Sequence, residues 1–268
     1  MKIRAGVLGD PIAHSLSPLI HNTLYEALDI EGEYSRFQVS EAQFPSFLDS
    51  HSPEDWSGFS LTMPLKEIAL SHVASIDPIA QRAQAINTLI PVDGRWHGYN
   101  TDVIGFEKLL GDVDARSISI LGAGGTARAA LVALGAQEKV SIYRRSQHRD
   151  PSLRGINPSI TIKNWSDYHE AFADDLVINT VPELREVAVD TDSIRTRAII
   201  DALYAPWPTA LSSIAERSGI HFQSGIDLLL AQALPQFTLM TGIGEIPPNV
   251  IEGIASMLRE KVGIPHPH

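Results

Sequence analysis

Residues 117–135 read SISILGAGGTARAALVALG, and this run decides how the rest of the chain is read. Ser117–Leu121 is β-branched and apolar enough to predict a strand. Gly122, Ala123, Gly124, Gly125, Thr126 and Ala127 form a glycine loop, and Arg128–Leu134 continues as a helix stopped by Gly135. The loop fits G-x-G-x-x-A directly between a strand and a helix. Its first glycine makes a tight turn, its second lets backbone approach a pyrophosphate, and the small sixth residue packs helix on strand. The helix start then offers backbone N–H groups to an anion. A glycine-rich βα turn without a ligand is the plain alternative, but the strand–loop–helix context favours a dinucleotide.

The following strand, Val140–Arg144, bears on which dinucleotide. An acidic residue about 20 positions on holds the ribose hydroxyls in NAD sites. Here the tip reads Tyr143-Arg144-Arg145-Ser146 and carries no carboxylate. Arg144 and Arg145 can instead clamp a 2′-phosphate and stack on an adenine face, so NADP is the expected cofactor.

Outward from this motif the chain alternates short β-branched runs with helical stretches, the pattern of an α/β fold with parallel strands. Strands are expected at 3–9, 32–39, 58–61, 86–91 and 96–99 in the first half, the last two joined by an Asp-Gly turn at Asp93-Gly94. Helices are expected from Ser17-Pro18, with Ser17 as cap, over Ala42–His51 and over Leu65–Ser75. Beyond the glycine loop, strands are expected at 140–144, 160–163, 176–179, 198–201 and 220–222. Arg145–Pro158, polar with two prolines, reads as loop. Asp227–Thr241 reads as a helix kinked at Pro235, and Asn249–Val262 as the last helix. A length of 268 residues suits two domains. We place the first at residues 1–102, completed by 227–268, and the second at 103–226.

Composition removes several classes of function. The net charge is −11 and no Lys/Arg block interrupts it, so neither nucleic acid nor an anionic membrane is an expected partner. Cysteine is absent, which excludes disulfides, thiolate catalysis and Cys-ligated metals. The ten histidines form no H-x-x-x-H or H-x-x-E-H pair, so no metal is expected. No secretory leader is recognisable and no apolar run reaches the ~18 residues of a membrane span, so a cytoplasmic location is expected.

Candidate chemistry concentrates in the first half. Ser15 and Ser17 precede a helix, where two hydroxyls and free N–H groups could hold a carboxylate; helix capping explains them equally well. Lys66, behind Thr62-Met63-Pro64, falls in a first helical turn, where the macrodipole disfavours a cation. It is either a solvated lysine or a proton-transfer group in a cleft. Asn87 and Asp102 end neighbouring strands, as turn residues or as groups facing a ligand crevice.

Taken in order, GDPIAHSLSPLIHN, TMPLK, INT, GYNTDVIGF, LGAGGTARA, DALYAPWPT and GIDLLLAQALPQF resemble the shikimate dehydrogenase family over essentially the whole chain. The resemblance implies an α/β substrate domain and a Rossmann-type doubly wound NADP domain, with C-terminal helices returning to the first. It implies NADPH-dependent reduction of 3-dehydroshikimate to shikimate in aromatic amino-acid biosynthesis. Lys66 and Asp102 look like the family's catalytic pair. Ser15 and Ser17 would hold the substrate carboxylate with Tyr204 nearby, and Thr62, Asn87 and Gln232 would bind hydroxyl or carboxylate groups. Thr180 and Gly225 would join the glycine loop and the two arginines around the cofactor. The small-molecule substrate is then the main partner, with a homodimer as the assembly to look for. An NAD-preferring quinate/shikimate enzyme and a non-enzymatic nucleotide-binding paralogue are the alternatives. The family's usual Asn two residues before the threonine of TMPLK is Ser60 here.

Overall fold

A computed structural model describes residues 2–137, 139–182, 184, 186–189 and 191–265. The chain divides into two compact units, Met1–Ile104 with Gln232–Ala255, and Gly105–Ala231 with Ser256–His268.

The first unit is built on β1 (Ile3–Gly9), β2 (Gly32–Gln38), β3 (Gly58–Leu61), β4 (Ser75–Ile76), β5 (Thr88–Val92) and β6 (Arg95–Tyr99), in the sheet order β2-β1-β3-β5-β6-β4. Strand β1 runs parallel to both β2 and β3, with Ile3 opposite Gly32 and Gly9 opposite Gln38. Strands β5 and β6 form the expected hairpin. Its turn residues Asp93 and Gly94 both have positive φ, 49° and 68°, as the tight Asp-Gly hairpin turn requires. The associated helices are α1 (Ser17–Ala27), α2 (Phe44–Ser50), α3 (Leu65–Ile68) and α4 (Pro78–Ala83). Leu8, Phe44, Phe59, Leu65, Ile86, Leu89 and Trp96 are core residues that lock these layers together.

Three local expectations are corrected here. Ser17 is the first residue of α1 rather than its cap; Leu16 holds that position, and the Ser15 hydroxyl accepts the Ser17 N–H at 3.3 Å. The helix expected over Leu65–Ser75 ends at Ile68 and continues only as a 3₁₀ turn, Ala69–Ser71. There the Ser71 hydroxyl and the His72 ring both donate to the Ile68 carbonyl, and the Ala74 N–H pairs with Trp96 in the sheet. Ile86 and Asn87 lie before β5, their N–H groups donating to the Lys66 and Tyr99 carbonyls.

The second unit begins within α5 (Thr101–Leu110) and holds β7 (Ile118–Leu121), α6 (Gly125–Leu134), β8 (Val140–Arg144), α7 (Asp150–Ile156), β9 (Thr161–Asn164), β10 (Leu176–Asn179), β11 (Ala198–Asp201), α8 (Ala210–Ser218) and β12 (His221–Gln223). Its sheet runs β12-β11-β10-β7-β8-β9 with every pair parallel. In order of appearance this is the doubly wound Rossmann arrangement, whose topological switch point lies between β7 and β10. All residues of β7, β10 and β11 are buried, as strands covered on both faces must be. The fold is therefore the α/β class expected. Arg145–Pro158, expected as loop, instead holds a 3₁₀ turn and α7. Pro151 sits in the first turn, where its missing N–H costs nothing, and Asp150 complements the helix dipole. The helix α9 (Gly225–Thr241) runs through Pro235, and α10 (Pro248–Val262) follows. Among the described residues no helix is long and apolar enough to cross a membrane, and no group of three or more His, Asp or Glu could hold a metal.

His21 of α1 is fully buried, stacked on Tyr34 at 4.1 Å and flanked by Tyr25 and Phe237. Burial pushes its pKa down to about 3, only partly offset by the neighbouring Gln236 side chain. A depressed histidine is protonated in the unfolded chain before the folded one, so its contribution is lost as pH falls from about 6.5 toward 3. Relative to wild type, His21→Phe is expected to gain about 1.4 kcal/mol between pH 7.5 and pH 5.5. Urea unfolding at the two pH values checks this; equal differences would mean that His21 is not the acid-sensitive group.

Candidate active site

Lys66 stands on the one-turn helix α3 and Asp102 in the first turn of α5. The Lys66 Nζ donates to Asp102 Oδ2 at 2.6 Å, with the side chains only 17% and 9% exposed. The carboxylate's other oxygen, Oδ1, accepts the Asn87 amide at 2.9 Å. Asn87 is buried, and the same Nδ2 donates to Thr101 Oγ1 at 2.9 Å while its Oδ1 accepts the Thr101 N–H at 2.8 Å. Gln232 of α9 brings Oε1 to 3.4 Å from both Asn87 Nδ2 and Thr101 Oγ1. Lys66, Asn87, Asp102 and Gln232 thus form one cluster in the first unit. A lysine in a largely covered ion pair, flanked by oriented amides, can transfer a proton to an oxygen held beside it.

Ser15 and Ser17 are both buried at the start of α1. With the Ser15 oxygen accepting from Ser17 N–H, its own hydroxyl proton is available to a further acceptor. Arg36 donates twice to the Ser15 carbonyl, at 2.9 and 2.6 Å, and brings a guanidinium to the serine loop. Thr62 is half-buried after β3, its N–H donating to the Leu8 carbonyl.

In the second unit the glycine loop follows β7 and the Asn179-Thr180 loop follows β10, on either side of the switch point. Helix α6 starts at Gly125, so Thr126 and Ala127 belong to its first turn. Gly122 has φ 111°, and a Cβ there would collide with the Thr180 hydroxyl, which donates to the Leu121 carbonyl. Gly124 has ordinary φ, and a Cβ would meet only Arg149 Nη1 at 3.7 Å. Gly225 lies against backbone, its would-be Cβ 2.5 Å from the Ala202 carbonyl oxygen.

The two arginines at the tip of β8 differ. Arg144 is buried and grips Asp150 through Nε and Nη2 at 2.9 and 3.0 Å, while Nη1 donates to Asn164. The Arg144 partner holds the Asp150 carboxyl below the usual range, and Asp150 holds Arg144 above its own. Arg145 is exposed, its guanidinium 5.1 Å from the Trp165 ring centre. Tyr204 lies in the second unit, half-buried after β11. Asp201 at the end of that strand is a buried carboxylate, its pKa raised by burial against the donors Asn179, Leu203 N–H and Thr209.

Several partners escape sequence reasoning. Gln236 carries a signal, lying four residues after Gln232 on a largely apolar helix. Arg36, Asp150 and Asp201 carry none, because their partners are carbonyls or lie at spacings that match no helix or strand pattern.

A family model described as the shikimate dehydrogenase substrate binding domain matches residues 7–89. The shikimate dehydrogenase (NADP(+)) of Bacillus cereus strain AH187 is 30% identical over 98% of this chain and 100% of its own length. The chloroplastic bifunctional 3-dehydroquinate dehydratase/shikimate dehydrogenase of Arabidopsis thaliana is 31% identical over 89% of this chain, which spans only 44% of that protein. Among solved structures, the shikimate 5-dehydrogenase of Thermus thermophilus in complex with NADP(H) and shikimate has a TM-score of 0.83 and 31% identity, covering 95% of this chain and 99% of that one.

The glycine geometry makes a paired prediction. Gly122→Ala should lose ~1–3 kcal/mol of stability, since positive φ and the Thr180 hydroxyl both oppose a methyl group. Gly124→Ala should be nearly neutral. Chemical denaturation of the two variants checks this, and equal losses would contradict it.

Proposed function

The chain belongs to the shikimate dehydrogenase family, and on that premise we propose that it catalyses the reversible NADP-dependent reduction of 3-dehydroshikimate to shikimate in aromatic amino-acid biosynthesis. The observation that carries this reading is the Lys66–Asp102 pair, largely covered and braced by Asn87, within a cluster that also holds Gln232.

Reduction of the ketone needs a hydride on carbon and a proton on oxygen. NADPH supplies the hydride when bound. Lys66 holds the proton at Nζ and delivers it to the developing alkoxide; in the oxidative direction it takes that proton back. Asp102 lies beside it, orients the ammonium and compensates its charge. Asn87 and Gln232 turn amide groups toward the substrate hydroxyls, and the Thr62 hydroxyl joins them. The Ser15 and Ser17 hydroxyls donate to the substrate carboxylate, with Arg36 adding positive charge at that loop.

The second unit fits the cofactor. Gly122 and Gly124 leave the backbone of the loop open, and the start of α6 offers its N–H groups to the pyrophosphate. Arg144 and Asp150 neutralise each other, so discrimination of a 2′-phosphate falls chiefly to the exposed Arg145, with Arg149 beside Gly124. Thr180 lines the far side of the same switch point.

Purified protein should oxidise shikimate with NADP, followed at the nicotinamide absorbance, with NAD and quinate as parallel arms. No turnover in any arm would overturn the reading in favour of a nucleotide-binding paralogue. Lys66→Ala should lower turnover by roughly 10²–10⁴ with a much smaller change in KM. Near-normal turnover would leave the reaction without its proton donor. Arg145→Glu should raise KM for NADP about 10- to 100-fold, the size of a lost charge-assisted contact, and leave KM for NAD almost unchanged. Arg144→Ala should instead lower stability and affect both cofactors alike. If Arg144→Ala alone is NADP-selective, the two arginines exchange roles.

A further inference from the structure

A single backbone amide sets the direction of a long hydrogen-bond chain in the first unit. The Thr101 N–H can only donate, and it lies 2.8 Å from one end of the Asn87 amide. That end is therefore oxygen, and Nδ2 must face the Asp102 carboxylate. The Thr88 hydroxyl, 2.8 Å from the same Asn87 oxygen, must donate to it. Thr88 can then only accept from its other neighbour, Gln236 Nε2 at 3.0 Å. This turns Gln236 Oε1 toward Ser60, whose hydroxyl donates at 2.8 Å and in turn accepts the Tyr34 hydroxyl. Tyr34, Ser60, Thr88 and Gln236 are all buried, so water cannot substitute freely for any of them.

We propose that Ser60 and Tyr34 are positioning residues for the reaction assigned above, on which this inference rests: through Gln236 and Thr88 they hold the Asn87 amide in the orientation that keeps Asp102 beside Lys66. The critical point is the polarity of Gln236. Gln236 Nε2 also donates to the Asn87 backbone carbonyl, a long bond of 3.3 Å. Without the Ser60 hydroxyl, Oε1 loses its donor, that long bond alone opposes a flip, and a flipped amide would present oxygen to Thr88. Thr88 would then donate to Gln236, and the Asn87 oxygen would lose one of its two fixed donors. Asn87 would then be held chiefly by Thr101, and its Nδ2 would sit less firmly on the carboxylate it braces. Tyr34 acts one step further back, by committing the Ser60 oxygen as an acceptor so that its proton points at Gln236.

The test compares Ser60→Ala, Ser60→Thr and Tyr34→Phe with wild type by shikimate oxidation and by NMR of the Asn87 side-chain amide. Ser60→Ala should lower kcat about five- to tenfold, the worth of one neutral hydrogen bond, with KM for NADP unchanged. Ser60→Thr, which restores the hydroxyl, should return kcat to within about twofold, and Tyr34→Phe should fall between. The Asn87 amide resonances should move in Ser60→Ala and return in Ser60→Thr. Unmoved resonances with kcat within about twofold of wild type in Ser60→Ala would overturn the proposal, as would equal losses in Ser60→Ala and Ser60→Thr. Should Ser60→Ala not fold, Tyr34→Phe decides by the same two readouts. An inactive wild type would overturn the assigned reaction instead, while the Asn87 resonances, read without turnover, would still decide the relay.

Discussion

Two opposite charges drawn out of water must be held together by their surroundings, and the first unit is arranged around that requirement at Lys66 and Asp102. Removing either charge from solvent costs several kcal/mol, which only close geometry and further hydrogen bonds offset. The 2.6 Å contact supplies the first, and the Asn87 amide on the second carboxylate oxygen supplies the other. Each partner is placed by regular structure. Lys66 follows β3 on α3, where Leu65 is sunk in the core and the Lys66 carbonyl takes the Ile86 N–H. Asp102 opens α5 after β6, at a helix end whose dipole favours a carboxylate. A lysine that would be unfavourable at the start of an isolated helix is thus stabilised by an acid from a different element.

The amides around this pair show why polar groups can be buried here. Asn87, Thr88, Thr101, Gln232 and Gln236 are all shielded from solvent, yet each makes hydrogen bonds within the cluster. Such a network holds one arrangement because each donor needs its own acceptor, and a partly broken one is costly. Rigidity of this kind suits a site whose hydride and proton must arrive at fixed positions.

The second unit solves a different problem, that of bringing backbone close to a ligand without side chains in the way. Gly122 is confined by the Thr180 hydroxyl and by its positive φ, so no other residue fits without strain. At the tip of β8, Asp150 ties Arg144 to the start of α7 and leaves Arg145 outside over Trp165. One of two adjacent arginines is a structural pin and the other faces solvent. Neighbouring residues of a strand point to opposite faces, which makes such a division natural.

The sequence by itself determined whatever is local or periodic. Alternating strands and helices, the glycine loop with its flanking elements, the Asp-Gly hairpin and the first-turn prolines can be read there, because each depends on a few adjacent residues. It also marked Lys66, Asn87, Asp102 and Gln232 as candidates, since their residue types and the family resemblance single them out. Short-range reading failed where side-chain bonds to the backbone or a local helix start overrode what composition suggests. The 3₁₀ turn after α3 arises from Ser71 and His72 bonding back to Ile68, and α7 appears in a stretch whose polar composition suggests a loop. Only the tertiary structure decided which candidates meet and how their charges are paired. Lys66 and Asp102 lie 36 positions apart, and Ser60 and Gln236 lie 176 apart. No local rule encodes those distances. They are set by the register of β1, β3, β5 and β6 and by the return of α9, and hydrogen-bond direction in the buried site follows from which atoms that packing brings within 3 Å.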